Sequence, residues 1–201
     1  SYDLRSGARF LDGMVTVDGT NATATTLTLS GGSTWNVGEA GLTLTASTAT
    51  FPGDASNVGN GYRLEAVSAG VSYEVEVEVT ADASTTVQTV TILAIQSRQP
   101  DGTSDTPWAY LDVVPAGLQS TATAAWVAMT HEIAVGTHLE AEEVYAVADG
   151  QQLGPFTVDS SGDIDLHDDA SVADRPYGIV HVGCPPDFPL ETHDAAYSGN
   201  E

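Results

Sequence analysis

The nine residues Ser72–Thr80, "SYEVEVEVT", decide the fold class. Tyr73, Val75, Val77 and Val79 alternate with Glu74, Glu76 and Glu78. Successive side chains of an extended chain point to opposite faces, so this period of two places the apolar residues on one face and the glutamates on the other. The plain expectation is a half-buried strand with a solvated acidic face. A sharper one is that the glutamate row lines a groove, binds cations or blunts edge-to-edge pairing.

The same texture continues in both directions. Short Val/Thr/Leu/Tyr runs such as "TTLTLS", "LTLTAS", "YRLEAV", "TVQTVTILAI", "EVYAVAD" and "GIVHVG" are separated by "SGGS", "FPGDASN", "PDGTSD", "ADGQQLG" and "DSSGD". Each separator carries turn chemistry. Only "AAWVAMTHEIA" reads either as helix or as strand, and its neighbours favour strand. The expectation is an all-β chain of small β-sandwich or barrel domains joined by Gly/Asp/Pro turns, with little or no helix. No repeat of fixed period is present.

Composition narrows the setting. Of the 201 residues 41% are hydrophobic, enough for a packed core, while 28 acidic residues face 5 basic ones for a formal net charge of -23. All five basic residues are arginines (Arg5, Arg9, Arg63, Arg98, Arg175), and lysine is absent. The acids are spread along the chain without a block, which argues against a dedicated acidic tail. A basic or metal-rich partner is one explanation; life in concentrated salt is the better one. At molar salt the screening length shrinks to about 3 Å, and the self-repulsion of such a surface largely disappears. No apolar run approaches the roughly 18 residues of a membrane-spanning helix. The opening "SYDLRSGARF" has no apolar signal core, and "NAT" at Asn21 forms a glycosylation sequon.

Candidate chemistry is sparse. The lone Cys184 has His181 three residues before it and Asp187 three after, an arrangement that invites a nucleophile-and-base reading. Acidic surroundings raise a thiol pKa, however, and an odd spacing on a strand puts His181 and Cys184 on opposite faces. Cys184 is therefore expected to be structural. In "DSSGDIDLHDD", Asp159, Asp163, Asp165 and Asp168 are candidate ligands for a structural Ca²⁺ or Mg²⁺. The segment lacks the D-x-D-x-D-G spacing and closing glutamate of an EF-hand loop, so it assigns no specific site. His131, His138 and His193 lack the short spacing of a zinc site. With no phosphate loop, no G-x-S-x-G and no basic patch, neither catalysis nor specific nucleic-acid binding is expected, and no cofactor.

The segment Gly136–Asp194 resembles a module of the tail nozzle (tail tubular protein B-like) proteins of short-tailed phages. "HLE" (His138, Leu139, Glu140) is followed by alternating Val144 and Val147 and by Asp149-Gly150 as the turn. Val180, Val182, Gly183, Pro185 and "LET" (Leu190, Glu191, Thr192) follow in register. Earlier, "RFLDGMVTVDGT" and "LTLTASTATFPGDASNVGNGYRL" are similar to that family's entry stretches. The chain departs from the pattern at Ala141, where the family carries glycine, and at Cys184, Pro186 and His193, which replace an apolar residue, an aromatic and a leucine. Nozzle subunits are several times longer than this chain.

The resemblance implies a discontinuous nozzle-like β domain over residues 1–34 and 123–201, with a β-rich domain, 35–122, inserted. Together with the composition it implies a non-enzymatic structural virion protein of a tailed virus of a halophilic archaeon. Its expected partners are copies of itself in a symmetric ring and other virion proteins; no membrane is expected. The rival expectation is a secreted or surface-displayed halophilic binding module, an adhesin or carbohydrate-binding domain. That reading needs an exposed aromatic platform, for which Trp35, Trp108, Trp126 and Tyr110 are the candidates.

Overall fold

The structure, a computed structural model, describes residues 12–19, 25–32, 35–52, 57–68, 71–98, 109–113, 122–169 and 175–184. The protein is all-β, a curled antiparallel half-barrel, with no helix of seven residues or more among the described residues. Its largest sheet runs β8 (Ala122–Thr123), β2 (Leu27–Ser30), β3 (Leu42–Ala46), β6 (Val87–Arg98), β5 (Val71–Ser84), β4 (Gly61–Ser68), β9 (Trp126–Met129), with β7 (Ala109–Tyr110) also pairing β6. A four-stranded sheet runs β1 (Asp12–Asp18), β14 (Ile179–Cys184), β11 (Glu143–Ala148), β12 (Gln151–Thr157). A two-stranded ladder pairs β10 (Glu132–Ala134) with β13 (Asp163–Asp165).

The opening stretch lies in β5, whose long hairpin with β6 forms the centre of the large sheet. Val75, Val77 and Val79 are buried, as the alternation requires. They meet Leu27 and Leu29 of β2, Leu42 and Leu44 of β3, and Val90, Ile92 and Ile95 of β6 in one apolar cluster. Each fully buried leucine contributes about 1.5–3 kcal/mol. An edge-to-face aromatic row, Phe51–Tyr62–Trp126, closes one end with ring centroids 5.3 and 5.8 Å apart. The Trp126 Nε1–H donates to the Thr25 carbonyl at 2.8 Å, so the indole is buried with its polar atom satisfied.

A second apolar cluster joins Val144, Ala146 and Ala148 of β11, Leu153 and Phe156 of β12, and Val180 and Val182 of β14. Ile133, Ile164, Leu166 and Tyr177 complete it. The strand pairing runs across the bounds expected from sequence. Both β2, from the segment 1–34, and β9, from 123–201, hydrogen-bond inside the large sheet with strands of 35–122. Leu27 and Leu29 present the same alternation as Leu42 and Leu44, and that complementarity pairs β2 with β3. The clusters change over instead near Gly19 and Met129. There the Gly19 N–H donates to the Gly178 carbonyl and the Ala128 N–H donates to the Gly19 carbonyl, stitching β1 to both sheets. No helix among the described residues is long and apolar enough to cross a membrane.

Candidate functional site

Two side-chain clusters stand out, and both are built by strand pairing. The first begins with the glutamate face of β5. Arg63 of β4 lies directly opposite Glu76 in the β4–β5 ladder, so their side chains share the outer face of the large sheet. Arg63 Nε donates to Glu76 Oε1 at 2.9 Å, and Arg63 Nη2 donates to Asp149 Oδ2 at 3.1 Å. Arg175 approaches the same two carboxylates at 3.8 Å each and stacks over the Tyr177 ring at 4.9 Å.

Asp149 reaches this point because of the β11–β12 turn. Ala148 pairs with Gln151, leaving Asp149-Gly150 as a two-residue loop with φ of 46° and 84°. That is the mirror-image turn that favours Asp-Gly. The Asp149 carboxylate also accepts from the backbone N–H groups of Gly178 and Ile179 at 3.2 and 2.9 Å. One side chain thus ties its turn to the start of β14 and to a cation on the other sheet.

The network is shielded. Glu76 is only 4% exposed, so the expected solvated glutamate face is wrong at its central residue, which a neighbouring arginine neutralises. Burial, the largest single influence on Arg63, disfavours its charge, but Glu76 and Asp149 together outweigh it and raise its pKa. Glu74, half-buried and opposite Glu65 in the ladder, is pushed up by burial and by its acidic neighbours, with Arg63 opposing.

The second cluster lies where β10 meets β13. Glu132 pairs with Asp165 and the Leu166 N–H donates to the His131 carbonyl at 2.8 Å, which sets His131 beside the short 3-10 turn Leu166–Asp168. His131 Nδ1 lies 3.0 Å from Asp165 Oδ1, and His167 Nδ1 lies 4.0 Å from the same oxygen. The imidazoles stack, centroids 4.4 Å apart and planes within 10°. An ionised carboxylate only accepts, so His131 Nδ1 carries the proton of the short contact. Burial pushes the Asp165 carboxyl up. The His131 hydrogen bond, the His167 backbone N–H and the two imidazole charges outweigh that, and its pKa lies below the ordinary value.

Of the four aspartates expected to gather around a cation, only Asp165 joins such a cluster. Asp159 Oδ1 accepts from the N–H groups of Ser161 and Asp163 at 2.8 and 2.9 Å, closing its own turn. Asp163 sits one ladder step from β13's centre opposite Ala134, and Asp168 is exposed. His131 was legible as a histidine without short-range partners; its partner His167 is 36 positions away and meets it only through the β10–β13 ladder.

The other sequence candidates are placed as follows. Cys184 packs against the smaller apolar cluster, while His181 on the same strand faces Thr16 Oγ1 at 2.9 Å. The two do not meet as nucleophile and base. His138 and Leu139 lie in the 3-10 turn Thr137–Leu139 that Glu140 caps; Leu139 packs on the smaller cluster, and His138 and Glu140 are exposed. Gly183 is buried in β14 opposite Tyr145. Pro185, Pro186, Asp187, Leu190, Glu191, Thr192 and His193 lie outside the described residues, as do Asn21, Trp108 and the Tyr110 side chain. No family model matches the chain, and no curated protein matches it either.

Proposed function

We propose that this chain is a non-enzymatic structural protein of the virion of a tailed virus infecting a halophilic archaeon. It serves as a nozzle-like or related head–tail surface module, assembling with copies of itself and with neighbouring virion proteins. The observation that carries the reading is the backbone at Ala141, where the resembling family has glycine. Its φ is +66°, a left-handed conformation that glycine adopts without strain. The local chain path is thus the one the glycine of that motif would serve. The signature pieces also lie together: the β11 valines, the Asp149-Gly150 turn and Val180–Gly183 share one sheet.

The binding-module reading is less well supported, because Trp35 and Trp126 are 3% and 8% exposed and form core rather than a platform. The test uses the full chain in molar KCl. Sedimentation and negative-stain imaging should show closed rings, and a specific antibody should decorate virus particles at one defined position. A chain that stays monomeric at every salt concentration, and is absent from purified particles, would overturn the proposal. Retention on a glycan array would favour the rival.

A further inference from the structure

We propose that His131, Asp165 and His167 bind one divalent d-block cation of the zinc class. Each residue offers one ligand atom, and the three lie within 4.8 Å of one another. Tetrahedral zinc with bonds of about 2.0–2.1 Å needs ligand separations of about 3.3 Å. The two separations to Asp165 Oδ1, 3.0 and 4.0 Å, bracket that figure, and a bound ion takes the place of the proton that His131 Nδ1 shares with Asp165.

The donor set selects the metal. Two imidazoles and one carboxylate suit zinc, cobalt, nickel or copper, whereas Ca²⁺ and Mg²⁺ require a cage of oxygens. The other oxygens expected to supply such a cage are elsewhere, Asp159 being committed to its own turn.

The scaffold holds the three residues in place. The β10–β13 ladder and the Leu166-to-His131 hydrogen bond fix both backbones. Gly59 packs against the His131 ring so closely that a Cβ there would stand 2.6 Å from Nε2. Side-chain exposure is 14% for His131, 21% for His167 and 39% for Asp165, so the carboxylate forms the open side through which an ion enters and water completes the coordination.

A second observation points to a ligand. His167 Nδ1 is beyond hydrogen-bond reach of Asp165, and its Nε2 is buried without a partner. Among the described residues nothing uses this largely buried imidazole as a hydrogen-bonding group, which is a costly arrangement for a polar ring. An ion at Nδ1 gives the ring a polar partner it otherwise lacks, while Nε2 stays as it is. As they stand the rings are parallel, so sharing an ion requires His167 to turn about its Cβ–Cγ bond. The bound ion would tie β10 to the turn after β13, stabilising the folded state by mass action.

The test starts from the folded full chain in molar KCl, stripped with a chelator and exchanged into chelator-free buffer. Co²⁺ titration should produce visible ligand-field bands that saturate at one ion per chain, and Zn²⁺, but not excess Ca²⁺, should abolish them. His131→Gln and His167→Gln should each weaken Co²⁺ and Zn²⁺ binding by about 100-fold or more, whereas the exposed His138→Gln should not change it. Circular dichroism shows whether each variant is folded, and His167→Gln, which leaves the His131–Asp165 contact intact, is the variant on which the proposal stands. Absence of saturable binding to the wild-type chain would overturn it, as would unchanged affinity in folded His167→Gln.

Discussion

Removing the Glu76 carboxylate should destabilise this protein more than removing any exposed acid. Glu76 is almost fully buried, bonded to Arg63 at 2.9 Å and 3.8 Å from Arg175. Taking one partner from a buried charge pair costs about 3–5 kcal/mol, because the remaining charge stays desolvated. Arg63 keeps Asp149 at 3.1 Å and its own side chain is 21% exposed, so Glu76→Ala belongs at the lower end, about 3 kcal/mol. Glu76→Gln retains an acceptor for Arg63 Nε and loses only the charge, costing about 1.5–3 kcal/mol. For a chain of this length about 3 kcal/mol lowers the melting temperature by about 6–12 °C. The assay is urea or thermal unfolding followed by tryptophan fluorescence, in about 1 M and about 4 M KCl. Mobile ions screen exposed charges but do not enter this network, so the loss should be the same at both concentrations. A loss below about 1 kcal/mol, or one that fades in the more concentrated salt, would refute the argument that shielded ion pairs hold the two sheets together.

Other predictions follow from single positions. Ala141→Gly should raise stability by up to about 1 kcal/mol in urea unfolding: relief of the left-handed strain, about 1–2 kcal/mol, exceeds the added unfolded-state entropy, about 0.4–1 kcal/mol. Gly19→Ala should destabilise by more than about 2 kcal/mol, since its Cβ would run into the Ala128 carbonyl at the stitch between sheets; a smaller effect by calorimetry would mean the junction yields. Glu74 has a raised folded pKa, so the folded state holds its proton more tightly and this residue's unfavourable contribution grows as pH rises through 4.5 and the folded value. Glu74→Gln should accordingly raise stability at pH 7 by a few tenths of a kcal/mol, about the lower part of the range for a like-charged cross-strand pair, and have no effect once the pH is well below 4.5. Melting temperature should climb steeply from dilute buffer to molar KCl; indifference to salt would remove the halophilic reading of the -23 charge.

What sequence revealed and what it hid divide along sequence separation. The alternation at Tyr73–Val79 and the Asp149-Gly150 turn are local signals, and both features stand where expected. Glu76 defeated the same reasoning. Period two places it correctly on the face opposite the valines, but burial of that face depends on Arg63, 13 positions away, and Asp149, 73 positions away. The histidine cluster was hidden for the same reason, since only a ladder between β10 and β13 makes Asp165 a neighbour of His131. The expected domain bounds are a different matter, since strand pairing crosses them. Motif-like stretches suggested those bounds, and the leucine alternation that assigns β2 to the large sheet lies outside the motifs, within the segment 1–34.

The junction also explains why a chain without lysine still carries arginine there. Its cation must serve two carboxylates at once, one on β5 and one in the β11–β12 turn, and Arg63 does so through separate nitrogens, Nε and Nη2. A guanidinium holds those donors in a fixed planar fork, whereas an ammonium is a single compact charge. An ammonium satisfying Glu76 would leave Asp149 dependent on Arg175, 3.8 Å away. Asp149 would keep its two backbone donors, so the turn itself would survive and the link between sheets would weaken. The fork therefore fixes how the sheets meet, while turn chemistry fixes only the hairpin. In a surface this acidic, Arg63 is a cation whose geometry no amount of dissolved salt can replace.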